Sequence, residues 1–317
     1  MTEHPHTPKN RMSRNVRKSE GTGAAPGRLY VVATPLGNLE DMSFRAVRQL
    51  READLIAAES RDHTGKLCRH FEIRTPVISY NQNNRARVEP RILGKLRSGS
   101  DVALVSSAGT PGLSDPGVPL VNRALSEGIR VIPIPGPCAA VAALSASGLA
   151  LDGFLFCGFL SPKSGRRKKE LERIAREPLT LVFYEAPRRV DALLQDLLTV
   201  LGDRRAVLAR EMTKVHEEFL RGPLSALIGR LEGETARGEL TILVEGAGHG
   251  APGDETVDQD LESRAGELLR EGRMTLGDTA RTIAGEFSVN YRQAYRVCLE
   301  IKNSLRREEN RPNDPIK

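Results

Sequence analysis

The stretch that decides the fold is "DVALVSSAGTPGLSDPG" (residues 101–117), an apolar run that passes into a loop of small and hydroxyl-bearing residues. The run "VALVS" (102–106) predicts a buried β-strand. Residues 105–117 contain three glycines, two prolines and four Ser or Thr side chains, and Asp115 is their only charge. Such a loop leaves many backbone polar groups without secondary-structure partners, so water or a ligand must satisfy them.

The same pattern of strand and loop continues along the chain. We predict strands at 28–33, 54–59, 75–80, 102–106 and 130–135, and a second series at 154–160, 179–185, 206–211, 217–222 and 240–246. Helical patterns such as "FRAVRQLREA" separate most strands of the first series, which is typical of an α/β fold with a largely parallel, covered sheet. We divide the chain into a basic, disordered tail (1–27), an N-terminal α/β domain (28–150), a second α/β domain (151–247), and a linker with a small helical module (248–317).

Composition excludes several classes of protein. No run of 18 apolar residues is present, so we expect no membrane span, and the N-terminus lacks the apolar core of a secretory signal. The scattered cysteines and histidines have no metal-ligand spacing, which favours a reducing cytoplasm and no metal. P-loop, dinucleotide-binding and nucleophile-elbow motifs are missing, so nucleotide hydrolysis, redox chemistry and serine hydrolysis have no support.

Three loops rich in glycine and proline follow predicted strands, at 34–43, 105–117 and 135–148. In an open α/β sheet, ligands bind beyond the carboxyl ends of the strands. The three loops contain Gly37, Gly109 and Gly136, which permit a close backbone approach. Any one loop alone is better explained as a tight turn, but all three together, at consistent places, predict a bound cofactor.

Basic residues are unevenly distributed. The net charge is +6, and residues 1–28 contribute +4, which fits either a solubilising extension or a tether for a polyanion. A second basic run lies in "GFLSPKSGRRKKE" (158–170), and it is either a solvated helix start or a contact for RNA phosphates. It contains Lys163, Arg166, Arg167, Lys168 and Lys169.

The C-terminal segment "NYRQAYRVCLEIKNSLRR" (290–307) predicts an amphipathic helix. Its apolar stripe consists of Ala294, Val297, Ile301 and Leu305, and Arg292 and Arg296 lie together on another face. With the preceding helical pattern, the segment resembles a helix-turn-helix, which either binds nucleic acid or packs on the body of the protein.

Six segments in register carry a specific resemblance. They are "VVATPLGNLEDMSFRA", "SSAGTPGLSDPG", "IPIPGPCAAVAALSASGL", "FYEAPRRV", "AREMTK" and "GELTILVEG". Over residues 28 to 247 the chain closely resembles the small-subunit ribosomal RNA (cytidine-2′-O)-methyltransferases of the tetrapyrrole methylase superfamily. The resemblance implies a two-domain α/β fold, S-adenosylmethionine bound between the domains, and a homodimer. It also implies methyl transfer to a cytidine ribose 2′-hydroxyl in the decoding region of 16S rRNA.

The resemblance also implies a set of site residues. The cofactor would contact Gly37, Ala108, Gly109, Thr110, Pro111, Leu113, Ser114, Pro135, Gly136, Cys138, Ala139, Tyr184, Glu211 and Thr241. For catalysis we predict Glu59 as the general base, with Arg61 on the same side of the cleft and Lys214 on the other. Asp62 and Glu211 are alternative bases. We predict RNA binding by the basic run at 163–169 and by Arg292 and Arg296 of the C-terminal segment.

Two other functions remain open at this point. One is methylation of a tetrapyrrole or another small molecule on the same fold, although such a substrate does not require a polybasic tether. The other is a non-catalytic protein that senses S-adenosylmethionine and binds nucleic acid. The helix-turn-helix-like end fits this second alternative, and so does Ser107, which stands where the family pattern has an aspartate.

Overall fold

The computed structural model describes residues 25–115, 117–231, 238–247, 255–287, 289 and 291–309. Almost all of the predicted tail and most of the predicted linker lie outside these residues. Each of the ten predicted strand segments contains a strand, and these strands form two five-stranded sheets. The predicted α/β fold class is therefore confirmed.

The first sheet is entirely parallel, with the order β3-β2-β4-β1-β5. Its strands are β1 (Leu29–Val32), β2 (Leu55–Ala58), β3 (Val77–Ser79), β4 (Val102–Val105) and β5 (Val131–Ile134). The helices that follow them are α1 (Phe44–Glu52), α2 (Arg61–His70), α3 (Arg85–Arg97), α4 (Val118–Ser126) and α5 (Ala139–Ser145). Because β1 lies between β4 and β5, the loops that follow these three strands meet at one edge of the sheet.

Helices cover both faces of this sheet. Side chains of α1 and α2 such as Leu50 and Leu67 pack with Val32 on one face. Side chains of α3 and α4 pack with Leu29 on the other face. Alternate residues of each strand are thus buried on opposite faces, which explains why these strands are continuously apolar.

The second sheet is mixed, with the order β6-β7-β10-β8-β9. Its strands are β6 (Phe154–Gly158), β7 (Thr180–Glu185), β8 (Arg205–Arg210), β9 (Glu218–Pro223) and β10 (Leu240–Val244), and only the β6–β7 pair is parallel. Helices α6 (Ser164–Glu172), α7 (Val190–Leu201) and α8 (Leu224–Leu231) cover one face with leucine side chains. The other face packs against α5, which joins the two sheets.

Three helices form a separate cluster at the C-terminal end: α9 (Glu255–Glu271), α10 (Leu276–Glu286) and α11 (Tyr291–Glu309). Ala294 and Cys298 of α11 are fully buried against Leu261 of α9 and Ile283 of α10. Val297 and Ile301 of the predicted apolar stripe pack on the same cluster. Within the described part of the chain, no helix has the length and apolar character needed to span a bilayer.

Candidate functional site

The three predicted loops are hydrogen-bonded to one another. Thr34, after β1, and Gly109, after β4, exchange two backbone hydrogen bonds of 2.9 and 3.0 Å. The Thr110 hydroxyl donates to the carbonyl of Pro137, after β5, at 3.0 Å. The backbone groups of the quoted loop are therefore satisfied partly by its neighbours, and the three loops form one rigid edge.

Two of the predicted glycines are required by their surroundings. Gly109 has a φ of +72°, which favours glycine, and a Cβ on it would lie 3.2 Å from Leu36 Cδ2. A Cβ on Gly37 would lie 2.6 Å from Lys214 Cγ, so this glycine lets the first loop approach the second half of the protein. The backbone N–H of Asn38 donates to the Thr213 hydroxyl at 3.1 Å across the same contact.

The second sheet supplies the opposite wall. Tyr184 on β7 is paired in register with Thr241 on β10, and the Thr241 side chain is buried. The backbone N–H of Ala140, near the start of α5, donates to the Tyr184 hydroxyl oxygen at 3.0 Å. Phe159 packs edge-on against the same ring at 5.7 Å between centroids. This wall is therefore aromatic and held in place from the first half.

Between these walls lies a cleft of about 380 Å³, which is within the range of small-molecule sites. Ten of the predicted cofactor residues line it: Ala108, Gly109, Thr110, Leu113, Ser114, Cys138, Ala139, Tyr184, Glu211 and Thr241. Gly37, Pro111, Pro135 and Gly136 do not line it. The Gly136 site instead packs against Ala33, directly after β1, because a Cβ there would lie 3.0 Å from the Cβ of Ala33.

Residues that we had not singled out for the cofactor or for catalysis also line the cleft. They are Leu36, His63, Ser107, Asp115, Phe159, Met212, Glu239 and Leu240. The sequence gives a signal for Asp115, as the only charge in its loop. His63 and Glu239 have no such signal, since they are polar residues at the ends of elements that only the fold brings together.

Glu59 lies at the end of β2 and faces the cleft. Its Oε2 accepts a hydrogen bond from the backbone N–H of Ser107 at 2.9 Å and another from the Ser107 hydroxyl at 2.7 Å. Two donors on one oxygen hold the carboxylate in position. Ser107 therefore replaces an acidic residue of the family pattern with a partner for Glu59.

Asp115 is the most electrostatically perturbed acid of the cleft. Burial raises the pKa of its carboxyl to about 7, and the negative charges of Glu59 and, to a smaller extent, Glu239 act in the same direction. A hydrogen bond with Ser106 lowers this pKa and offsets only part of the effect. At neutral pH this carboxyl therefore exchanges between a proton donor and a proton acceptor.

The predicted catalytic cations occupy two different places. Lys214 lines the cleft, and its Nζ lies 2.8 Å from Glu211 Oε1. The turn that contains Glu211 and Lys214 has positive φ angles at Glu211 (52°) and Thr213 (68°). Arg61 begins α2 and points away from the cleft into a neighbouring depression, which it shares with Lys66. Arg61 and Lys214 thus do not face each other across the cleft.

Acidic side chains neutralise more of the positive charge of the basic run at α6 than the sequence alone indicates. Arg167 is buried, and its guanidinium forms an ion pair with Asp196 at 2.5 Å. The prediction that Arg167 contacts RNA is wrong, because its donors are already used by Asp196 and by backbone carbonyls. Lys168 also lies 3.4 Å from Asp196, and Arg166 lies 3.3 Å from Glu170.

Other predicted RNA contacts remain accessible. Lys163 and Lys169 are exposed at α6, and Arg296 is exposed on α11. The side chain of Arg292 lies outside the described part of the structure. Among the described residues, no group of three His, Cys, Asp or Glu side chains is arranged to hold a metal ion.

A family model described as tetrapyrrole (corrin/porphyrin) methylases matches residues 28–228. The match covers more than half of the chain, which therefore belongs to this family. The resemblance drawn from the six motifs is confirmed by curated relatives named ribosomal RNA small subunit methyltransferase I. The relative from Synechocystis sp. is 46% identical over 279 residues, covering 87% of this chain and 99% of the relative. The relative from Pseudomonas aeruginosa is 48% identical over 235 residues, covering 73% and 83%.

Solved structures support the fold at lower identity. Uroporphyrin-III C-methyl transferase from Thermus thermophilus, solved in complex with S-adenyl homocysteine, is 23% identical, with a TM-score of 0.51 over 70% of this chain and 98% of that chain. A diphthine synthase is 15% identical, with a TM-score of 0.55 over 68% of this chain and 89% of that chain. These similarities show a shared fold.

Proposed function

We propose that the protein is an S-adenosylmethionine-dependent methyltransferase that methylates the 2′-hydroxyl of a cytidine in the decoding region of 16S rRNA. The observation that carries the proposal is the cleft between the two sheets, in a chain that is 46% identical to a relative named ribosomal RNA small subunit methyltransferase I.

The residues of the cleft fit S-adenosylmethionine. This molecule carries a sulfonium and an ammonium group, and the carboxyls of Glu59, Asp115, Glu211 and Glu239 line the cleft. One side of the cleft has only small residues, against which a flat ring can pack: Ala108, Gly109 and Ala139. The opposite side has the aromatic rings of Tyr184 and Phe159. When bound, the cofactor supplies an activated methyl group, so the protein must align the acceptor hydroxyl and remove its proton.

We assign proton removal to Asp115 rather than to Glu59. A general base works best when its pKa is close to the operating pH, as that of Asp115 is. Glu59 Oε2 already accepts two hydrogen bonds from Ser107, so this oxygen is less available to take the proton of the acceptor hydroxyl. Glu59 then has two supporting tasks: it positions Ser107, and its charge raises the pKa of Asp115.

Lys214 and the exposed basic residues complete the proposal. Lys214 lies at the rim of the cleft, where it can hold an RNA phosphate next to the acceptor ribose. We assign more distant phosphate contacts to Lys163, Lys169 and Arg296, which are exposed, and weaker ones to Arg166 and Lys168, which have acidic partners. We also propose a cytoplasmic homodimer. The four cysteines, all free, support a reducing compartment, and the resemblance to the family supports the dimer.

A methyl-transfer assay with radiolabelled S-adenosylmethionine tests this function. Small ribosomal subunits that lack the modification should accept label, and large subunits and a tetrapyrrole should not. Gly109→Val, which places a side chain against Leu36 and Pro137, is the matched inactive control. Label on the tetrapyrrole alone would support the small-molecule alternative, and no label on any acceptor would support a non-catalytic role.

A further inference from the structure

A second basic surface lies on the outer side of α2, apart from the cleft and from α6. Arg61, Lys66 and Arg69 surround a shallow depression that has Gly65 and the edge-strand residue Val77 beneath it. All three cations are exposed, and none forms an ion pair with another described residue. Asp62 is the one acid that lines the depression, so the local charge stays positive.

This surface begins close to the cleft along the chain. Glu59 and His63, which line the cleft, lie on either side of Arg61 in the sequence. Arg61, Gly65 and Arg69 are four residues apart and so share one face of the helix. Arg61 and Arg69 are separated by a rise of about 12 Å. Each strand of a duplex carries one phosphate per about 3.4 Å of axis, so this face can meet several phosphates of one strand.

Gly65 has no structural reason to be a glycine. It lies inside α2 without a positive φ, and a Cβ added to it would meet nothing within 4 Å. Glycine inside a helix is less stable than alanine by about 0.5–1 kcal/mol. Its effect here is an unobstructed floor between the cations, which allows another backbone to approach closely.

The charges on α6 contrast with this arrangement. Arg167 forms a buried ion pair with Asp196, and Arg166 and Lys168 each have an acidic partner. The three cations of the α2 face form no such ion pairs with described residues, although this face has fewer basic residues in sequence. Exposed charges without partners are the ones that phosphates can neutralise with release of counterions.

We propose that the outer face of α2 is a phosphate track that leads an RNA strand into the cleft, with Gly65 at its closest approach. The inference rests on the proposed function, because it names the path of that function's substrate. The alternative role of these cations is to stabilise the carboxyl end of α2, where Arg69 and His70 face the helix dipole.

The test compares Gly65→Glu with Gly65→Gln. The two side chains have the same shape, and the site is open, so both variants should fold. The glutamate adds a negative charge to the track and can also pair with Arg61 or Arg69. Affinity for a fluorescently labelled single-stranded RNA should fall about fivefold with Gly65→Glu, the effect of one like charge about 4 Å from a phosphate in water. Gly65→Gln should bind RNA within about twofold of wild type, a margin below the effect of that one charge.

Salt dependence gives an independent measurement. Lys66→Ala combined with Arg69→Ala should reduce the slope of log affinity against log salt by about 1.4, from about 0.7 per single-strand contact. This double variant and the two Gly65 variants should all bind S-adenosylmethionine normally in calorimetry. An unchanged salt slope, together with equal RNA affinity for the two Gly65 variants, would overturn the proposed phosphate track. If the unmodified protein still transferred methyl groups to small subunits, the proposed function itself would stand.

Discussion

Replacement of Asp115 by asparagine tests the chemical assignment in the cleft. The change preserves the shape of the side chain but removes its ability to accept a proton. A positioned general base contributes on the order of 10²–10⁴-fold to a rate. Asp115→Asn should therefore slow single-turnover methyl transfer by at least about 100-fold. S-adenosylmethionine affinity should change by less than about fivefold, the effect of one charge about 4 Å away in water.

The pH profile makes this prediction more specific. The base must be ionised to act, so the wild-type rate should rise with pH and level off above a midpoint at about 7. At pH 6 only about 9% of the carboxyl is ionised, so the rate should be about tenfold below its plateau. Asp115→Asn should lose this rise. His63→Gln should keep this rise, and so serves as the control for a substitution at another polar side chain that lines the cleft.

Glu59→Gln separates the two candidate bases. The negative charge of Glu59 raises the pKa of Asp115, so its removal should move the midpoint of the profile to lower pH. Glu239→Gln should move it in the same direction by a smaller amount. If Asp115→Asn keeps more than about a third of the wild-type rate while Glu59→Gln loses 100-fold, the base is Glu59 and the assignment is wrong.

Three further predictions concern binding and stability. Gly109→Val should abolish S-adenosylmethionine binding in calorimetry while circular dichroism stays native, whereas Gly128→Ala, at a positive φ in open space, should bind normally. Asp115→Asn should raise the melting temperature more at pH 8 than at pH 5. The folded protein disfavours the ionised Asp115 carboxyl, and the resulting destabilisation is complete only above a pH of about 7. Arg167→Ala should lower the free energy of unfolding in urea by up to about 3–5 kcal/mol, since Asp196 stays buried with only Lys168 and the Ser164 hydroxyl as partners, and Arg167→Ala combined with Asp196→Ala should recover part of the loss.

The local pattern of apolar, glycine and proline residues was sufficient to predict much of the fold. Most of the ten strands could be predicted because they are short apolar runs bounded by glycine, proline or charge, and both faces of the first sheet are covered. The convergence of three loops followed from strand direction alone. The cofactor wall at Tyr184 and Thr241 was instead assigned from the family resemblance, because its partner Ala140 lies 44 residues away.

The mistaken or missed residues depend on distant partners. Arg167 was placed on an RNA surface because its buried partner Asp196 lies on another helix. Asp115 was not chosen as a base because its raised pKa requires burial and the approach of Glu59, which is 56 positions earlier in the chain. Arg61 follows Glu59 closely in sequence, but the first turn of α2 directs it into a separate depression.

The central claim is methyl transfer to a cytidine ribose of the small subunit, and the position of the transferred methyl group tests it most directly. Small subunits lacking the modification are incubated with the protein and radiolabelled S-adenosylmethionine, and the RNA is then hydrolysed in alkali. A 2′-O-methyl group blocks cleavage of the adjacent bond, so the label should appear in an alkali-stable dinucleotide that begins with cytidine. Label in a mononucleotide would place the methyl group on a base, and label in ribosomal protein would place it outside RNA. Either result would contradict the account.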